Sequence, residues 1–339
     1  MQNKLLLSIL FLLTAMPLAA QRAHSPRTEA MQTITRTRAE AIVRFLADDA
    51  LQGREAGRQG SRIAARYLAS ELQEAGIRPL LGDSYFQPFE ACARERQQPA
   101  RRWQVHPDSI ALFKALPAHR SLHMANVLGV IPGQRADEYV VVGAHFDHLG
   151  TDPALEGDAV YNGADDNASG VSAVLQIARA FVASGQQPLR TVVIAFWDGE
   201  ELGLLGSEAF LQSCPFAKDI KGYLNFDMIG RNHREDHPRH VVYFYTASHP
   251  AFEQWLRRDI AQQGFRLEPD YRAWERPVGG SDNSSFARRD IPIIWYHTDG
   301  HPDYHQPSDH PDRLNWEKLT DISRAAFLNA WDLANEESY

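Results

Sequence analysis

Two adjacent carboxylates, Glu200 and Glu201, follow the apolar run Thr191 to Trp197 in the stretch Trp197-Asp198-Gly199-Glu200-Glu201-Leu202-Gly203. The run reads as a buried strand, and two negative charges at its end repel each other and resist burial. No Lys or Arg lies nearby in sequence, so a metal ion is the economical counter-charge. Other metal-binding residue types fall at comparable places. His145-Phe146-Asp147 closes the apolar run Tyr139 to Val142, and Asp165-Asp166-Asn167 sits in a turn between Gly163 and Gly170. Asp227 ends the segment Gly222 to Phe226, and His305 lies in Asp303-Tyr304-His305-Gln306-Pro307-Ser308-Asp309. Imidazole with carboxylates suits zinc or a similar divalent ion.

A pair of such ions needs a carboxylate that can bridge them. Asp166, in its glycine-flanked turn, is assigned that place. Glu201 and His305 complete one ion, and His145 and Asp227 the other, so that the chain holds two Zn2+ or similar ions. Asp147 is expected to accept the free N–H of the His145 ring and fix its tautomer. Glu200 is left beside the ions without binding one. There it can take the proton of an attacking water between the ions and pass it to a leaving amine. The chemistry is amide hydrolysis.

These residues need elements that bring them to one edge. Helical periodicity covers 36–51 and 60–75, the second ending at Gly76. Strands are predicted over 126–131, 139–144, 190–197, 222–226, 240–245 and 292–296. Helices are predicted over 168–183, 205–212, 250–263 and 316–334. Residues 90–120, rich in Arg, Gln and Pro, read as surface loop or edge strand. Alternating strands and helices argue for an α/β fold: one domain whose central sheet is mixed, largely parallel and flanked by helices on both faces. Ligands then bind outside the carboxyl ends of the strands, where the acids and histidines fall.

The chain opens on Lys4, an apolar core Leu5 to Leu13 and small residues to Ala20, which reads as a signal peptide over 1–20. The run is short of the ~18 residues a membrane span needs, so no stable membrane insertion is expected after cleavage. The protein is expected outside the cytoplasm, in the periplasm or the medium. Residues 21–35 read as a flexible lead-in and 36–339 as the catalytic domain. The formal net charge is −8, and removing Lys4 with the leader makes it −9, which excludes nucleic acid as an expected partner. Cys92 and Cys214 could pair in an exported protein or remain thiols; sequence does not decide.

Five stretches carry a family resemblance, in order along the chain: Val142 to Asp147, Gly163 to Gly170, Trp197 to Ser207, Leu224 to Arg231 and Gly300 to Asp309. They resemble the secreted co-catalytic dizinc aminopeptidases, relatives of glutamate carboxypeptidase and glutaminyl cyclase. The resemblance implies the zinc-exopeptidase fold and places that family's ligands on His145, Asp166, Glu201, Asp227 and His305. It places the general base on Glu200 and an oxyanion-steadying tyrosine on Tyr304. It also implies a cis peptide between Asp166 and Asn167, and a peptide substrate with a free amino terminus. Asn283, in Gly280-Ser281-Asp282-Asn283, departs from a stretch in which the family usually carries His. Glutaminyl cyclase activity with one working zinc is the alternative, as is dipeptidase or carboxypeptidase specificity. His297 and His310 read as ordinary loop histidines and His301 as a loop residue outside the ligand positions. His233, His237 and His240 read as part of a solvated stretch, and Trp274 as rim packing or a pocket wall. No Gly-x-Ser-x-Gly elbow and no His-Glu-x-x-His helix occurs.

Overall fold

The computed structural model describes residues 25–95 and 102–339, so the leader expected over 1–20 lies outside the described residues. The helices are α1 (Pro26–Gln32), α2 (Arg36–Leu46), α3 (Gln59–Glu74), α4 (Pro107–Lys114), α5 (Gly170–Ala183), α6 (Leu205–Ser213), α7 (Ala251–Gln263), α8 (Asn283–Ala287) and α9 (Trp316–Asn335). The strands are β1 (Arg78–Pro79), β2 (Phe86–Arg94), β3 (His119–Ile131), β4 (Arg135–His145), β5 (Arg190–Trp197), β6 (Ile220–Phe226), β7 (His240–Thr246), β8 (Glu268–Trp274) and β9 (Ile293–His297).

Among the described residues all nine strands form one mixed sheet in the order β1-β3-β5-β4-β6-β9-β7-β8, with β2 also paired to β3. The central strands β5, β4, β6 and β9 run parallel. Antiparallel pairings flank them, β3 against β5 and β7 against β9. Every residue of β5 is buried, as a strand covered on both faces requires. Its side chains alternate: Val192, Ile194 and Phe196 enter the larger core, while Val193, Ala195 and Trp197 enter a second core on the opposite face. The larger core also takes the apolar stripes of α2, α5 and α9. The second packs Tyr223 face to face on Phe286 of α8, ring centroids 3.8 Å apart. Because the four central strands are parallel, their carboxyl ends lie on one edge.

The sequence reading is corrected in several places. The expected lead-in contains α1, started by the Ser25 side chain accepting from the Thr28 N–H and burying Ala30 and Met31. Two apolar residues in seven left no period to read. Residues 90–120 hold the end of β2, all of α4 and the start of β3. Strand β8 was missed because none of its residues is fully buried. Trp274 closes that strand and packs on Phe244, which gives it a packing role. Cys92 and Cys214 are both free thiols.

Candidate active site

At the carboxyl edge the strands release their chains into turns that carry the reactive groups. His145 is the last residue of β4, and Asp147 follows it in a buried turn. Asp166 and Asn167 precede α5 and are joined by a cis peptide. Gly163 opens this turn at φ +57°, where a Cβ would come 2.1 Å from the Asp166 carbonyl oxygen. The Asp309 carboxylate accepts the amide N–H groups of Asp165 (2.9 Å) and Asp166 (3.1 Å), fixing the turn from the opposite loop. After β5, Gly199 turns the chain at φ +79°, so that Glu200 and Glu201 face the same edge.

Asp147 sets this acid pair. Its Oδ1 accepts the Glu200 N–H at 3.0 Å and its Oδ2 faces the Glu201 N–H at 3.4 Å. The expected contact to the His145 ring is made differently. Nδ1 of His145 lies 3.2 Å from the Asp147 carbonyl oxygen and 3.7 Å from its carboxylate. The backbone carbonyl therefore takes the ring N–H, the carboxylate being engaged by the two amides, and Nε2 turns its lone pair to the site.

The five residues expected as ligands are brought together around Asp166. His145 Nε2 lies 3.3 Å from Asp166 Oδ1 and 3.4 Å from Asp227 Oδ1. His305 Nε2 lies 3.1 Å from Asp166 Oδ2 and 3.2 Å from Glu201 Oε2. One carboxylate thus offers one oxygen to each set. Ligand atoms around a tetrahedral zinc at about 2.0–2.1 Å stand about 3.3 Å apart, so the spacing fits such an ion. Asp166, His145, Glu201 and Asp227 are nearly enclosed, while the His305 ring is 34% exposed. Tyr304 is exposed and stacks on the His305 ring at 3.8 Å between centroids.

The electrostatics favour positive charge at the centre. Burial pulls the His145 imidazole down, but Glu200, Asp227, Asp147 and Asp166 outweigh it and hold the ring well above its ordinary range. For His305, burial is likewise outweighed by Asp166 and Glu201, which carry it up to about 10. Burial, opposed by His145 and reinforced by Glu201, Asp282 and Asp227, pushes the Glu200 carboxyl well above its usual range.

Three functional neighbours escaped the sequence reading. His148 Nδ1 sits 2.7 Å from Glu201 Oε1. His297 is partly buried and its Nδ1 lies 2.7 Å from the Asp227 carbonyl oxygen, so it steadies that turn and is no ordinary loop residue. Arg54 is 1% exposed and donates to the carbonyls of Phe146 (2.8 Å), Asn162 (2.7 Å), Gly163 (2.9 Å) and Leu46. It ties together the two turns that carry Asp147 and Asp166. Its partners are backbone atoms, which leave no pattern in a sequence. His301 is buried facing Asp165 Oδ2 at 3.3 Å, behind the Asp166 turn. His310 is a surface residue paired with Asp158. His240 lies in β7 and bonds Asp299 at 3.0 Å, so it is no part of a solvated loop. His237 is exposed. Asn283 is buried and donates to the carbonyls of Pro277 and Gly279, a structural use of the departing position.

A family model described as peptidase family M28 matches residues 126–329, which contain His145, Asp147, His148, Asp166, Glu200, Glu201, Asp227, Tyr304 and His305 but not Arg54. Leupeptin-inactivating enzyme 1 of Streptomyces exfoliatus is 32% identical over 170 residues, half of this chain and 34% of that protein. The chain therefore spans about a third of that relative's length. In fold it is similar to the LapA aminopeptidase of Legionella pneumophila, with TM-score 0.67 and 22% identity over 91% of this chain and 75% of that one. It is also similar to BSAP, a zinc aminopeptidase from Bacillus subtilis, with TM-score 0.67 and 14% identity over 90% and 97% of the two chains.

Proposed function

We propose that this chain, which belongs to peptidase family M28, is a metal-dependent aminopeptidase that hydrolyses the peptide bond next to a free amino terminus. The observation that carries the reading is Asp166, with Oδ1 beside His145 and Oδ2 beside Glu201 and His305. That arrangement suits two divalent ions, with His145 and Asp227 completing one set and Glu201 and His305 the other. Zinc fits the donors. Bound ions would polarise the scissile carbonyl and make the attacking water more acidic.

The chain's own groups do the rest. Glu200 takes the proton of the attacking water and delivers it to the leaving amine; a carboxyl raised by burial suits both transfers. Asp147, through the Glu200 and Glu201 amides, keeps base and ligand in register. Tyr304, stacked on His305 at the open side, would donate its hydroxyl to the oxyanion. The acid-rich edge favours a substrate that arrives with a positive amine. The catalytic domain would run from α1 to the end of the chain, and the leader over 1–20 would carry it out of the cytoplasm. Among the described residues no helix is long and apolar enough to cross a membrane.

The test is hydrolysis of aminoacyl anilides and dipeptides, each with a free and an acetylated amino terminus, with and without a chelator. Cleavage of only the free-amine substrates, lost on chelation, is expected, and the anilides should be cleaved. Equal cleavage of acetylated substrates would overturn the amino-terminal specificity. Ammonia release from an amino-terminal glutamine peptide, without hydrolysis of the others, would transfer the site to a cyclase.

A further inference from the structure

The geometry points to His148 as a positioning residue that decides which oxygen of Glu201 a metal meets. The inference rests on the metal reading proposed above. The His148 side chain has no solvent exposure, and its Nδ1 stands 2.7 Å from Glu201 Oε1. The other oxygen, Oε2, faces His305 at 3.2 Å. Two atoms bound to one tetrahedral zinc would lie about 3.3 Å apart. A separation of 2.7 Å is instead the length of a charge-assisted hydrogen bond. The second carboxylate in reach, Asp166 Oδ2, is 3.8 Å from Nδ1, too far for one.

The tautomer follows from the surroundings. Nε2 of His148 is buried without a hydrogen-bond partner. A proton there would leave a buried donor unmade, whereas a proton on Nδ1 is satisfied by Glu201. The ring is held in this pose from both sides. Its backbone N–H donates to the Arg54 carbonyl at 3.2 Å. Gly163 packs so closely that a Cβ would lie 2.6 Å from His148 Cδ2. His148 therefore donates to Oε1 and keeps that oxygen occupied, so Glu201 binds through Oε2 alone. Denticity and orientation of the ligand are set by a residue that touches no ion.

Two amide substitutions separate this role from bulk packing. In His148→Asn the side-chain nitrogen can stand where Nδ1 stands, while in His148→Gln it reaches toward Nε2 instead. Zn2+ affinities of the metal-free full chain are measured by competition with a chromophoric chelator, and visible spectra are recorded with Co2+. Expected are wild-type affinities for His148→Asn. His148→Gln should show one ion weakened about 10–100-fold and the other unchanged. Cobalt bands should be the same in wild type and His148→Asn, whereas in His148→Gln they should lose intensity, because Glu201 is then free to bind through both oxygens and raise the coordination number. His148→Ala gives the same comparison if the glutamine variant does not fold. Equal weakening of the asparagine and glutamine variants would overturn the inference, as would no weakening of either. A cobalt spectrum that loses a nitrogen ligand would make His148 a ligand and overturn it too. A wild-type chain that binds no divalent ion would overturn the proposed function itself.

Discussion

Glu200 and Glu201 differ in chemistry because of what each carboxylate meets. Glu201 has both oxygens engaged, Oε1 by His148 and Oε2 by His305. Glu200 has no such partner, and burial with its acidic neighbours holds its carboxyl well above the usual range. Glu200→Gln should keep the shape, remove the base and lower turnover by at least ~10²-fold, with metal content unchanged. Equal turnover, measured on a protein whose metal content is verified, would reassign the base. Asp166→Asn should reduce both sets at once, since each uses one of its oxygens. Metal analysis after dialysis should find neither ion retained; one ion kept at full occupancy would mean that Asp166 does not bridge. At this scale the sequence was most informative for acids and histidines at strand ends, because repelling charges beside apolar runs demand an explanation. It was silent on Arg54, whose partners are carbonyls. It was silent also on His148, whose partner Glu201 lies 53 residues further along the chain.

Elements whose residues are uniformly buried could be read directly. Strand β5 runs over Arg190–Trp197, as its apolar run Val192 to Trp197 predicted, whereas β8 and α1 each bury too little to show a period. Polar groups that join elements were not readable. Lys318 in the first turn of α9 is fully buried, donating to the Arg231 carbonyl at 2.6 Å and the His240 carbonyl at 3.3 Å. It pins the start of β7 to the segment after Asp227. Burial, despite the pull of Asp165 and Glu235, lowers its ammonium from the ordinary 10.5 to about 8. A lowered folded value means that the unfolded chain binds the extra proton between these limits. The stability term is then present above about 10.5 and lost as pH falls through about 8. Wild-type stability should accordingly rise, relative to Lys318→Met, by on the order of 3 kcal/mol across that window. Urea unfolding of both proteins at several pH values measures the difference; parallel curves would refute it.

At the scale of the molecule, α1 completes a buried charge cluster that links α7 and α9 and reaches β9. Arg27 of α1 binds Asp259 of α7 at 2.9 Å and Asp332 of α9 at 2.8 Å. Arg258 contacts both acids as well. The chain of bonds continues through Asn329 to the Tyr296 hydroxyl in β9. Both acids are buried, and burial is the main reason that the Asp332 carboxyl stands at about 7; Arg27 lowers it, Asp259 raises it and Arg258 lowers it. A folded value above the ordinary 3.8 gives a term fully present below about 4 and lost as pH rises through about 7. Arg27→Ala removes one of the two cations that offset this loss, so Asp332 should hold its proton to still higher pH. The variant's deficit against wild type should therefore be smaller at pH 5, where the Asp332 carboxyl is protonated and the Arg27–Asp259 pair is what is lost. By pH 8 it should have grown by about 1 kcal/mol, because wild-type Asp332 ionises only as pH passes about 7. Denaturant unfolding of both proteins at the two pH values decides this. A deficit equal at both, or larger at pH 5, would mean that Arg27 does not offset the charge of Asp332.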